Sequence, residues 1–198
     1  MRSAFDKLIS WMGVAVAVVL LAVGGLTAWA NSYIDDQVHD QLSMQGITMP
    51  EGEALASLPK ADADALKQYA GSPLDTGPEA TAYADHYILA HMNGMADGQT
   101  YNEVSGQYLA LDDEAKASEE GQALGQLRQS MFMGNTLRGL LLYGGAFATM
   151  GTIAGYASIT ALLGGAVLLI LVGAGLIHAR KAKKEELATA PAAVPTLA

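Results

Sequence analysis

No cysteine occurs anywhere in the chain. That absence excludes disulfides, thiolate metal sites, c-type haem attachment and thiol nucleophiles, so the folded parts are held by packing alone. Charge is missing over two long stretches. From Leu8 to Ile34 the only ionisable side chain is Tyr33, and from Gly139 to Ile177 the only ones are tyrosines. Basic residues are scarce between these stretches: residues 31–138 hold 17 acids against five bases, a formal charge of −12. Like charges repel, so this middle segment is expected to have neither nucleic acid nor anionic headgroups as partners. Also absent are a glycine-rich phosphate loop, a nucleophile elbow and a paired-histidine zinc motif. A charge-free apolar run offers no proton relay or ion pathway. The expectation is therefore a non-enzyme with no catalytic residue, no cofactor and no resident metal.

What is present is apolar length. Both runs exceed the roughly 20 residues that cross a hydrocarbon core of about 30 Å. In the first, Trp11 and Trp29 lie 18 positions apart, which at 1.5 Å per residue is about 27 Å and puts both indoles at interface depth. Ala28, Trp29 and Ala30 have the small-x-small pattern of a signal cleavage site. The run is longer than the roughly 7 to 15 residues of a signal core, so it is expected to be retained as an anchor. The second run has 39 residues, too many for one upright span and barely enough for two. Flanking charge decides. Arg2 and Lys7 precede the first run, and Arg180, Lys181, Lys183 and Lys184 follow the second, so both ends read as cytoplasmic and the number of crossings is even.

The predicted fold class is an all-α membrane protein: two transmembrane helices with an inserted small helical extracytoplasmic domain. Residues 1–7 are the cytoplasmic N-terminus, 8–30 the first span and 31–132 the acidic outer domain. Residues 133–154 form a helix that lies on lipid or packs into the outer domain. Residues 155–177 are the second span, and 178–198 a basic flank followed by a tail, rich in alanine and proline, that is disordered after Glu186. The expected location is the plasma membrane, with residues 31–138 outside.

Within the middle segment the periodicity is helical. Ile34, Val38 and Leu42 continue the first helix until Gly46 stops it, and Met49 and Pro50 begin a linker. A second helix fits Ala61–Ala70, stopped by Gly71. A third follows Gly77, with Pro78 in its first turn, and ends at Asn93 and Gly94. Thr100 and Glu103 have capping-box spacing for a fourth through Leu109. Asp112 and Asp113 start a fifth with an apolar stripe of Leu124, Leu127 and Met131.

His86 and His91 are the most tempting ligand pair. A spacing of five puts their rings about 140° apart on a helix, whereas zinc-binding helices use four. Tyr83, Tyr87 and His91, each four apart, read instead as one packed face with polar tips. His91, Met92 and Met95, with Met44, Met49, Met131 and Met133, have the softness that suits copper(I). Methionine is also the usual filler of irregular helical cores, which is the reading adopted. Asp35, Asp36 and Asp40, like Asp112 to Glu114, lack a calcium loop's spacing and glycine and read as solvated helix faces.

The spans carry ridges of small residues: Gly13, Ala17, Gly24 and Ala28 in the first, and Ala154, Ser158, Ala161 and Gly165 in the second, preceded by Gly151 and Gly155. Such ridges let helix backbones approach closely. One in-chain contact uses one ridge on each helix, leaving Gly173, Gly175, Gly144 and Gly145 to explain. Gly151, Gly155, Ala161, Gly165 and Gly173 are therefore the expected contacts with a helix of a partner.

Five segments carry a resemblance: Phe5–Leu8, Asp36–Leu42 (DQVHDQL), Tyr83–Ile88 (YADHYI), Thr100–Ser105 (TYNEVS) and Thr136–Leu142 (TLRGLLL). In these the chain resembles a family of uncharacterised actinobacterial two-span membrane proteins. Members of that family are often described as aromatic-ring-opening dioxygenases. Such chemistry needs a metal in a closed pocket, and this sequence lacks the histidine and carboxylate arrangement for one. The resemblance implies the layout above and no catalytic residues. The expected function is an accessory or assembly subunit of a larger bacterial membrane complex, a respiratory complex being one candidate, with other membrane subunits and the bilayer as partners. The alternative is an extracytoplasmic binding or sensing module for a metal or small ligand.

Overall fold

Helices account for almost all of the computed structural model, which describes residues 2–189, and no β-strand occurs among them. In chain order they are α1 (Arg2–Ser43), α2 (Gly52–Ala56), α3 (Lys60–Leu66), α4 (Gly77–Ala82), α5 (Leu89–Met95), α6 (Tyr101–Leu109), α7 (Asp113–Ala117) and α8 (Glu119–Thr189). A 3-10 turn, Lys67–Tyr69, extends α3, and a π-helical turn, Tyr83–Ile88, joins α4 to α5. Contacts divide the chain into two units: the two ends, up to Asn31 and from Ile153, and the middle, Ser32–Thr152.

The unit of chain ends is a pair of antiparallel helices, and its two parents, α1 and α8, are long and apolar enough to cross a membrane. Ser10, Ala17 and Gly24 on α1 are buried seven residues apart, as are Ser158, Gly165, Val172 and Ala179 on α8. A strict seven-residue repeat keeps one seam facing the partner helix in left-handed packing. Small side chains set the approach. A methyl group on Gly165 would lie 3.0 Å from Leu21 and 3.3 Å from the Ala17 carbonyl oxygen. The buried Ser158 hydroxyl donates to the Gly24 carbonyl at 2.9 Å, a bond worth on average about 0.6 kcal/mol between apolar helices. Outward from the seam stand Trp11, Val19, Leu26, Trp29, Leu163 and Ile170, all exposed.

The middle unit buries one apolar core in which Met49, Leu66, Leu74, Val104, Met131 and Leu141 are almost fully enclosed. Much of its local structure follows the expected signals. α1 ends at Ser43, and Gly46 turns the chain at φ +63°. Gly71, at φ +73°, follows the 3-10 turn that extends α3, where the stop of the helix expected over 61–70 falls. α6 begins after Thr100, whose hydroxyl accepts from the Glu103 N–H while the Glu103 carboxylate accepts from the Thr100 N–H.

Four expectations are corrected. The linker at Met49 and Pro50 is a structured segment: Met49 is buried, its N–H donates to the Ser72 carbonyl at 2.8 Å, and Thr48 pairs with Pro73. α2 follows it and is too short for apolar periodicity to reveal. The fifth helix is broken at Ser118, whose backbone is extended, before Leu124, Leu127 and Met131 pack on the core from α8. Residues 133–154 are no separate helix but part of α8, and Leu141 buries this stretch in the middle unit's core. α8 also runs past Ile177 to Thr189, and the remainder of the tail expected to be disordered, residues 190–198, lies outside the described residues.

Candidate functional site

Gly155 faces Asn31, Gly165 faces Leu21 and Ala17, and Gly175 faces Ser10. The close approach at these positions is made by α1 of the same chain. Ala161 is half-buried and Gly151 buried. Gly144 lies against Leu42, while Gly145 crosses the start of α4: a methyl group there would lie 2.0 Å from the Thr81 hydroxyl and 3.2 Å from the Gly77 carbonyl oxygen. Both glycines are thereby explained by contacts within the chain. Gly173 has nothing within 4 Å of where its side chain would be. Of the five expected partner contacts it is the one whose surroundings are open.

α8 also carries an exposed apolar face: Leu137 and Leu140 stand outward while Leu141, on the same apolar stretch, is buried. On α8, the side defined by Gly134, Leu141, Gly145 and Ala148 packs into the middle unit. At 100° per residue, Phe132, Met133, Leu140, Tyr143, Phe147 and Met150 fall on the other side, and each is more than half exposed. Between this face and α1 runs a groove of about 440 Å³, lined on the α1 side by Ile34 and by Gln37 and Gln41, one turn apart, with Gln45 just past the helix end. The spacing of three and four was readable in the sequence. Which side packs inward was not, since both sides are apolar.

The histidines diverge, as their spacing implies. His86, on the π turn, shares a hydrogen bond through Nδ1 with Asp62 of α3 at 2.9 Å. His91 Nδ1 meets the Tyr87 carbonyl at 2.7 Å. Tyr83 and Tyr87 stack at 4.7 Å, and Tyr87 meets the His91 ring at 4.3 Å, so these three form one column. Burial, with the neighbouring Tyr87, pushes the Tyr83 phenol up from its ordinary value. Met92 is buried in the core against Gly134, whereas Met95 is exposed. Asp85 accepts a hydrogen bond from Arg138 of α8 at 2.6 Å. Two charged contacts thus radiate from adjacent positions on the π turn, a distortion frequent at functional sites. Their partners lie 24 and 53 residues away, and no local pattern announces them.

Beside this turn, Glu79 is buried at the start of α4. Burial alone would push its carboxyl up. Hydrogen bonds donated by the Thr76 and Ser72 hydroxyls and by the Asp75 and Thr76 N–H groups outweigh that and hold it below the ordinary range. Among the described residues no three histidine, aspartate or glutamate side chains converge as metal ligands. Comparison with protein-family models, with curated proteins and with solved structures finds no match for this chain.

Proposed function

We propose that this protein is a non-enzymatic accessory or assembly subunit of a larger membrane complex, docked through the exposed face of α8. The observation that carries this reading is that apolar face on a unit, Ser32–Thr152, whose 17 acids and five bases give a net charge of −12. Contiguous exposed apolar surface on a soluble domain marks an interaction site. Phenylalanine, tyrosine and methionine, which with Leu140 supply it here, are enriched in interface cores. Flanking lysine and arginine put both termini in the cytoplasm and residues 31–138 outside the plasma membrane. The partners on this reading are other membrane subunits, with lipid around the two spans.

Extraction in a mild detergent that keeps membrane complexes whole tests the proposal. The protein should elute well above its own mass together with a fixed set of subunits. Phe147→Asp, at an exposed position, should release it while leaving its own unfolding temperature within a few degrees of the original. Elution of the unaltered protein as a lone monomer under these conditions would sink the idea.

A further inference from the structure

A cleft of about 400 Å³ opens in the middle unit between the 3-10 turn, the start of α4, the π turn and α8. Its size lies within the range of small-molecule sites, about 300 to 1,000 Å³. Acceptors predominate in its polar lining, Gln68 and Tyr69 being the side chains there that also carry donors. Thr81, Thr149 and Thr152 line it, and each hydroxyl donates its single proton to the carbonyl four residues earlier: Gly77 at 3.0 Å, Gly145 at 3.0 Å and Ala148 at 3.1 Å. A hydroxyl whose proton is committed retains only acceptor lone pairs. Asp85 lines the same cleft. One of its oxygens takes the Arg138 bond, and the other is an acceptor.

His86 also lines it. Its Nδ1 is engaged by the Asp62 carboxylate, which can only accept, so a proton sits on Nδ1, and in the neutral form of the ring Nε2 is an acceptor. Ala65, Pro78 and Ala148 add small apolar walls.

We propose that this cleft binds a small aliphatic cation bearing N–H donors, an amine or a guanidine compound. Each acceptor takes an N–H, and the carbon chain lies along the alanine and proline walls. The −12 charge of the surrounding segment raises the local concentration of cations and disfavours anions. A quaternary ammonium ion has no proton to give these acceptors. It is bound instead by cages of aromatic rings, and Tyr69 is the one aromatic residue in this lining. A divalent metal would demand more carboxylate oxygens than Asp85 offers. The site is separate from the exposed face of α8, and its test does not depend on the docking proposal.

Calorimetric titration of the full-length protein in detergent uses agmatine, which carries both an amine and a guanidinium, as the probe. Tetramethylammonium and butyrate serve as controls. Agmatine should bind saturably and the controls should not. Thr149→Val keeps the side chain's shape but removes an acceptor, and with Thr152→Val it should weaken binding at least about tenfold. Asp85→Asn should weaken it further. Because Asp85→Asn also disturbs the Arg138 pair, the threonine variants, checked for unchanged unfolding temperature, are decisive. No saturable uptake of agmatine, equal binding of tetramethylammonium, or unchanged affinity in the double valine variant would each overturn the proposal.

Discussion

Glu79 shows how much one side chain does at the start of α4. Its carboxylate gathers two hydroxyl and two backbone donors while nearly enclosed. The bonds favour the ionised form more than burial opposes it, so the folded value lies below the unfolded one. The sign follows: the contribution to stability is fully present above the unfolded value and is lost as pH falls through the folded one. Glu79→Gln should lower the stability of the detergent-solubilised protein at pH 7 by on the order of 1–3 kcal/mol, the range for bonds to a charged group. The difference should shrink as the pH is taken down through the acid range. Thermal unfolding at several pH values checks this, and a deficit that stayed constant down to strong acid would assign the loss to packing. The Glu103 carboxyl is also held low, first by the Thr100 N–H and then by its hydroxyl, but it is fully solvated. Thr76 and Glu79 have the same spacing as Thr100 and Glu103, so the first cap was as readable in the sequence as the second. That one is buried and the other exposed was not.

At the scale of the element, glycine has two uses in α8. Gly165 admits α1, whereas Gly173 faces open space. Leucine at position 165 would be driven into Leu21 and the Ala17 carbonyl. Overpacking of this kind costs about 1–3 kcal/mol, so Gly165→Leu should lower the unfolding temperature of the purified chain. Gly173→Leu should leave it unchanged or raise it, since glycine weakens a helix interior by up to about 1 kcal/mol. If the second helix meets a partner at Gly173, that variant alone should lose the complex while keeping its own stability. Equal unfolding temperatures for the two variants would contradict the seam. The sequence marked both glycines as small and neither as inward or outward. A ridge is a local property, whereas its occupant is chosen by a helix more than a hundred residues away.

For the whole molecule, the proposed direction rests on Arg2 and Lys7 at one end and Arg180 to Lys184 at the other. A phosphatase that works only outside the cytoplasm should be active when fused after Gly121 and silent after Lys184. Activity at both places would mean that α8 does not return the chain to the side where it began. The sequence by itself determined what depends on neighbours a few residues apart: two long apolar helices, the stops at Gly46 and Gly71, the cap at Thr100 and the column of Tyr83, Tyr87 and His91. Tertiary structure alone decided the continuity of α8 through its many glycines, the inward side of residues 133–152 and the partners of Asp85 and His86. Helix periods and caps are set by bonds three or four residues long. The pairings of Asp62 with His86, of Asp85 with Arg138 and of Gly24 with Ser158 span 24, 53 and 134 residues, and they exist only once the helices have packed.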